Sequence, residues 1–488
     1  MSDTLDVVLL FDTEDILSPP EVGNDDSIRT LATILLEEGL RGTFLFIGDR
    51  AQHLRDRGRT DVIEAVRTHE VGLHTRSARH PCSPEYVQGR TWDEGVGEAL
   101  RREREGVEII RDVFGKAACA LSTHYEYATP HSQRAAALLG LPYIYAYPAA
   151  PPLYNLSWYA GALGFPYSSP TPPGEGPYRA YFGDFDDFYP DTPAFERMLW
   201  DLDSHIEACL QEGQPFLSLF LYHPQRVRLA EFIDRFWCPN GVNYPQERWG
   251  QYGEPRRYSP SQVETALGNF RKLLGRIRDD SRLRPLSVEE VVAKYGHQPA
   301  EITAEELQQA AQQIVAASGD IPLHTRSSPA EVLMGLSRSM VSWSAARRLP
   351  GAVPRDEVMG PKRNLIWYPE LQSGTHEELV HLARRVVESV ETTGHLPAMF
   401  GEPGARVGVN HLHYALAEAY LDASRGEPLE GFRLRPMRRY PKLAEAIGLR
   451  YLRTAEGDLM DPDLNVDALY RHGKLQTWTL KPALGAGG

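Results

Sequence analysis

Over about the first 295 residues, short apolar runs alternate with amphipathic helical stretches, and this rhythm leaves few folds open. The runs are Val7-Val8-Leu9-Leu10-Phe11, Gly42-Thr43-Phe44-Leu45-Phe46-Ile47, Val71-Gly72-Leu73 and the segments 118–122, 143–147, 216–222 and 283–286. The first helical stretch is capped by Ser27, carries Ile28, Leu31, Ala32, Leu35 and Leu36 as its apolar stripe, and ends at Gly39. Another covers 59–69, and a long charged one runs from Asp93 to Phe114. Strands separated by helices of this length pair in parallel through right-handed crossovers. About seven such units predict an α/β fold, and a (β/α) barrel rather than a small open sheet. The Pro/Gly/Tyr-rich stretch from Pro148 to Pro193 breaks the rhythm and reads as a long binding loop. Its aromatics Tyr154, Trp158, Tyr159, Phe165 and Tyr178 either line a sugar cleft or simply cover the barrel.

In such folds the chemistry sits at the C-terminal ends of the strands. The first strand ends in Asp12-Thr13-Glu14-Asp15, three carboxylates in four residues. The Val71-Gly72-Leu73 run leads directly into His74, with His80 six residues on. His223 follows the 216–222 run and precedes Pro224, which ends strand pairing there. Carboxylates and histidines delivered by strand ends suggest a hard or borderline divalent metal with a spare acid or base. If a metal activates water, one carboxylate ligates it and another takes the proton. His223 then suits the general acid that protonates a departing amine. Each feature also has a plainer origin: an acid capping a turn, an i, i+6 histidine pair in a loop, a histidine satisfied by a carbonyl. Asp184, Asp186 and Asp187 read as solvated loop acids, with orientation of His223 or contact with substrate as the alternatives. His69, His124, His131 and His205 read as structural.

Composition excludes some classes. A net charge of −14 leaves no electrostatic footprint for nucleic acid and argues against an anionic membrane surface. No apolar run approaches the roughly 18 residues that span a bilayer. The N-terminus lacks a basic segment ahead of its first apolar run, and the four cysteines (Cys82, Cys119, Cys209, Cys238) include no CxxC. A cytoplasmic protein with reduced thiols is the expectation.

At 488 residues a second domain is required. The boundary is expected near residue 298, with a mainly α-helical domain over 299–488 containing two degenerate repeats, about 302–341 and 375–421. Leu307, Ala310, Ala311, Ile314 and Val315 form a helical stripe. Leu379, Leu382, Ala383, Val386 and Val387 repeat it 72 residues later, each time after Glu-Glu. Gly319-Asp320-Ile321-Pro322 and Gly394-His395-Leu396-Pro397 end the two helices, and apolar helices over 330–340 and 411–421 follow. This pattern predicts duplication and a binding or scaffold module.

The acid-rich strand end, the Gly-Thr-Phe-Leu-Phe-Ile-Gly strand, the His-Thr…His-Pro loop and the late strand ending in His together resemble the polysaccharide deacetylases, the NodB-like carbohydrate esterases. The resemblance covers roughly residues 5 to 297. It implies a distorted (β/α) barrel and a hydrolase that removes an acyl group, acetyl above all, from an N-acylated sugar or related amide. It implies zinc or a similar divalent metal held by Asp15, His74 and His80, with Glu14 as the rival of Asp15. Asp12 matches the catalytic base and His223 the acid. The segment 89–95 and the Phe236-Trp237 region resemble a subgroup with an Asp-x-Glu-Asp motif. Two departures stand out: the histidine spacing exceeds His-x-x-x-His, and Leu121-Ser122-Thr123-His124-Tyr125-Glu126 lacks the family's Arg-x-Pro. That Arg orients the catalytic Asp in the family, so either another supporting set or weak catalysis is expected here. The C-terminal repeats resemble pseudomurein-binding-type repeats. Two alternatives remain: a metal-independent amide hydrolase on the same barrel, and a glycan-binding or scaffold protein with a decayed site.

Overall fold

The computed structural model describes residues 4–16, 18–77, 81–123, 128–144, 155–166, 181–183, 185–232, 253–429, 431–441 and 466–483. Two compact units emerge. The first comprises Met1–Leu156, Ala162–Gly296 and Gly448–Val466, and the second Ser157–Gly161, His297–Ile447 and Asp467–Gly488. Among the described residues no helix is long and apolar enough to cross a membrane. Cys82, Cys119 and Cys209 are reduced thiols.

The strands of the first unit are β1 (Leu5–Thr13), β2 (Thr43–Phe46), β3 (Glu70–His74), β4 (Leu121–Ser122), β5 (Tyr143–Ile144), then, past β6 (Ser157–Tyr159) of the second unit, β7 (Ala162–Phe165), β8 (Tyr181–Phe182), β9 (Phe216–Tyr222) and β10 (Leu283–Pro285). They run in the order β7-β5-β4-β3-β2-β1-β9-β8, with β10 beside the first half of β1. The pairs β1–β2, β1–β9, β2–β3, β3–β4, β4–β5, β5–β7 and β8–β9 are all parallel. The α/β class is as expected. Among the described residues these strands form an open path from β7 to β8 and do not close into a ring.

Helices cover the sheet: α1 (Asn24–Glu37), α2 (Gly48–Asp56), α3 (Thr60–Arg67), α4 (Ser83–Val87), α5 (Trp92–Phe114), α6 (Pro130–Leu138) and α7 (Thr192–Gln211). One core holds Phe11, Phe44, Phe46, Leu73, Ile110, Leu219 and Phe270 between sheet and helices. Two local expectations change. α1 begins at Asn24 behind a left-handed Gly23 (φ +79), because Asn24, Asp25 and Asp26 suit the positive end of a helix, so Ser27 lies inside it. Leu36 is exposed, and Ile34 takes its place against the core. The 148–193 stretch is also not one loop. Ala162–Phe165 extends the sheet beside β5 and Tyr181–Phe182 pairs with β9. Phe165 is buried, whereas Tyr154 and Tyr178 lie outside the described residues.

The second unit contains two segments with the same order of elements. Strand Glu301–Thr303, helices Ala304–Ala316 and Pro329–Ala346, and strand Ala352–Pro354 form the first. Strand Ser373–Thr375, helices His376–Thr393 and Val409–Arg425, and strand Gly431–Arg433 form the second. In each, the outer strands pair antiparallel, Ile302 opposite Val353 and Gly374 opposite Phe432. Thr303 and Thr375 cap the first helices by accepting the N–H of Glu306 at 3.1 Å and of Glu378 at 3.2 Å. The first helix of each segment packs on the second helix of the other.

Candidate active site

Because neighbouring residues of a parallel sheet point to the same face, the register fixes which side chains meet. Thr13 lies level with Phe46 and Phe46 with Leu73, so the next residues outward, Glu14 and His74, share the opposite face with Asp12. His74 pairs with Ser122 on β4. On the other side a register shift between Leu10 and Phe11 places Phe11 opposite Tyr222 rather than Leu221. That bulge turns both Leu221 and Tyr222 towards the helix-covered core and brings His223 level with Asp12.

The side chains bear this out. His74 Nε2 lies 3.4 Å from Glu14 Oε2 and 3.8 Å from Asp12 Oδ2. His223 Nε2 lies 3.8 Å from Glu14 Oε1. All four groups are buried, so their charges act on one another through little water. Ser122 Oγ is 2.6 Å from His74 Nδ1 and 3.3 Å from Leu73 O. With its proton on Leu73 O, the hydroxyl accepts from His74 Nδ1–H and so turns Nε2 towards the two carboxylates. Ser122 occupies the region where the resemblance placed Arg-x-Pro, and it orients His74 rather than a carboxylate.

His223 is held by Asp186, which lies between β8 and α7. Asp186 Oδ2 is 2.6 Å from His223 Nδ1, and Oδ1 accepts the His223 backbone N–H at 3.0 Å. Burial opposes a charged ring, but the Asp186 carboxylate, with Glu14 and Asp12 beyond it, outweighs burial and pushes His223 up to about 10. The ring therefore carries a proton at neutral pH, with Nε2 directed at the carboxylates. Asp186 is thus the orienting carboxylate, not a solvated acid. Its neighbour Asp187 is exposed and pairs with Arg226.

Asp15 is engaged elsewhere. Its Oδ1 accepts the Ser18 N–H at 3.0 Å and its Oδ2 the Asn24 amide at 2.6 Å, which ties the segment after β1 to the start of α1. The structure therefore brings together Asp12, Glu14, His74 and His223, and aims Asp15 at Ser18 and Asn24. His80, His124, Asp184 and Phe236-Trp237 lie outside the described residues.

An imidazole nitrogen and carboxylate oxygens are the donors a borderline divalent metal takes. Two ligands about 2.0–2.1 Å from a tetrahedral ion stand roughly 3.3 Å apart. The 3.4 Å between His74 Nε2 and Glu14 Oε2 matches that spacing and exceeds a good N–H···O bond. Among the described residues no group of three His, Cys, Asp or Glu is arranged to hold an ion.

No protein-family model matches the chain, and no curated protein matches it. Its fold is similar to solved structures at low scores. A probable polysaccharide deacetylase from Pseudomonas aeruginosa PAO1 is 11% identical with a TM-score of 0.36, over 60% of this chain and 91% of that one. The Puue allantoinase has the same identity and score, over 60% and 92%. A family 4 carbohydrate esterase from Streptomyces lividans, in complex with acetate, is 13% identical with a TM-score of 0.29, over 58% and 93%. Likenesses this distant say nothing of the chemistry, which rests on the site alone.

Proposed function

We propose that the protein is a hydrolase of an N-acyl bond, acting on an N-acylated sugar or related amide, with acetyl as the acyl group. The observation that carries this is the single sheet face on which Asp12, Glu14, His74 and the Asp186-held His223 converge. Amide hydrolysis needs a base for the attacking water and an acid for the departing nitrogen. Asp12 takes the proton as water adds to the acyl carbon. The C–N bond then breaks, and His223 Nε2 gives its proton to the leaving amine, releasing carboxylate and amine. Asp186 keeps the His223 ring charged and in the direction that this transfer requires.

A divalent cation, zinc by donor type, belongs to the same proposal. Glu14 and His74 would hold it, Glu14 replacing Asp15, with His80 as the further ligand that the resemblance implies. When bound it supplies polarisation of the acyl carbonyl. The matched strand–helix–helix–strand segments of the second unit support its assignment as a module built by duplication, with a binding or scaffold role.

Purified, zinc-supplemented protein incubated with N-acetylated glucosamine oligomers, sugar nucleotides and simple amides tests the proposal by mass spectrometry. Equal amounts of acetate and free amine are expected from at least one N-acetylated sugar. Release from non-sugar amides alone would move the assignment to that substrate class, and no release from any of them would reject it.

A further inference from the structure

Thr75, the residue after His74, has φ +63. A β-branched residue in the left-handed region is a genuine outlier, and such strain persists only where the surroundings enforce it. Here they do so from α2 and α5. The Gly48 N–H donates to Thr75 O at 3.1 Å, and a side chain at Gly48 would put its Cβ 2.7 Å from Arg76 O. Asp49 holds the Arg76 guanidinium and accepts from Ser77 Oγ at 2.6 Å. From α5, the buried Glu103 accepts the Arg76 backbone N–H at 2.9 Å through Oε2, and the Tyr86 hydroxyl lies 3.4 Å from its other oxygen. A Cβ at Gly106, three residues along α5, would stand 2.7 Å from Leu73 and 3.2 Å from Arg76 Cα, so this helix presses directly on the turn.

Glu103 is the unexpected member of this set. A carboxyl placed between helix and sheet is costly to bury, and an apolar side chain would pack α5 there at lower cost. What it provides is an acceptor for one backbone N–H, immediately beyond the strained residue. We propose that Glu103 is a positioning residue for His74: it holds the turn at Thr75 in its left-handed conformation and so sets the direction in which the His74 ring leaves β3. The proposal rests on the role of His74 in the hydrolase reading above.

Glycine adopts the left-handed conformation without strain, so Thr75→Gly makes the clamp unnecessary. The test compares Glu103→Leu, Glu103→Gln, Thr75→Gly and the Glu103→Leu/Thr75→Gly double variant in the full chain. The readouts are kcat and KM for acetate release, and the His74 ring nitrogen signals in protein labelled with 15N-histidine. Glu103→Leu is expected to lower kcat at least tenfold with KM within twofold, and to shift the His74 signals. Glu103→Gln, which keeps an acceptor, should stay within threefold of wild type. Thr75→Gly should restore most of the lost kcat and the wild-type signals in the Leu background. An unchanged kcat and unchanged signals in Glu103→Leu would overturn the proposal, as would a folded double variant that is not rescued. Should Glu103→Leu not fold, Glu103→Met is read in the same way. Should no substrate be turned over, the His74 signals alone decide, so failure of the hydrolase reading is distinct from failure of this one.

Discussion

His223 and Asp186 make two contacts: Nδ1 to Oδ2 at 2.6 Å, and the backbone N–H to Oδ1 at 3.0 Å. The carboxylate thus fixes both the ring and the chain that carries it. Asp186→Asn is expected to lower kcat about 100-fold, towards the lower end of what a general acid contributes. Asp187→Asn, at an exposed acid paired with Arg226, should change kcat less than threefold. Steady-state kinetics of the two variants side by side checks this.

Glu14 and Asp15 are adjacent but face different partners, so their substitutions should separate. Glu14→Gln removes a charge 3.4 Å from His74 Nε2 and should abolish both activity and stoichiometric zinc. Asp15→Asn weakens the ties to Ser18 and Asn24 and should cost about 1 kcal/mol of stability while zinc content stays near wild type. Elemental analysis of both variants, with thermal melts, decides. A chelator should inactivate the wild type reversibly, with zinc restoring the rate.

Glu103 gives a pH signature of its own. Burial outweighs the Arg76 N–H and Tyr86 contacts and pushes its carboxyl up to about 7, against 4.5 for a free one. A raised folded-state value stabilises the fold fully below pH 4.5, and this stability is lost as pH rises to 7. At about 1.4 kcal/mol per pH unit the loss is about 3 kcal/mol. Glu103→Gln lacks the titration, so its stability relative to wild type should improve between pH 5 and pH 8. Denaturant midpoints at the two pH values measure the change.

The second unit should respond in the opposite direction. His413 is fully buried on the Val409–Arg425 helix, and burial, with His324 adding to it, pulls it down to about 3. Burial alone pulls His324 down to about 4. A depressed folded-state value gives stability that is complete above pH 6.5 and lost as pH falls towards 3 to 4. Acid should therefore melt this unit, and His413→Leu should be less acid-sensitive than wild type when unfolding is followed by circular dichroism from pH 7 to pH 4.

The positions of Asp12, His74 and His223 were legible because strand ends can be read from apolar runs followed by a charge or a proline. Asp186 was not, since only packing reveals that Phe185 and Tyr189, both in the core, draw Asp186 inward while Asp187 stays out. Nor was the bulge between Leu10 and Phe11, which leaves no mark in composition yet decides that His223 sits beside Asp12. Asp15 and Glu14 could not be ranked from sequence, because the difference lies in Ser18 and Asn24. Glu103 was hidden among the charges of a long helix. Among the described residues the strands run as an open path, which a count of strands does not distinguish from a closed ring.

The central claim is that Asp12 and His223 act on one reacting group, and a double-mutant cycle tests it most directly. Residues that act as a unit in one reaction lose activity non-additively. Asp12→Asn and His223→Gln are each expected to lower kcat/KM for an N-acetylated sugar about 100-fold or more, with melting temperatures near wild type. The double variant should fall less than tenfold below the weaker single variant. If either single variant keeps the wild-type rate, or if the two losses multiply in full, the account is contradicted.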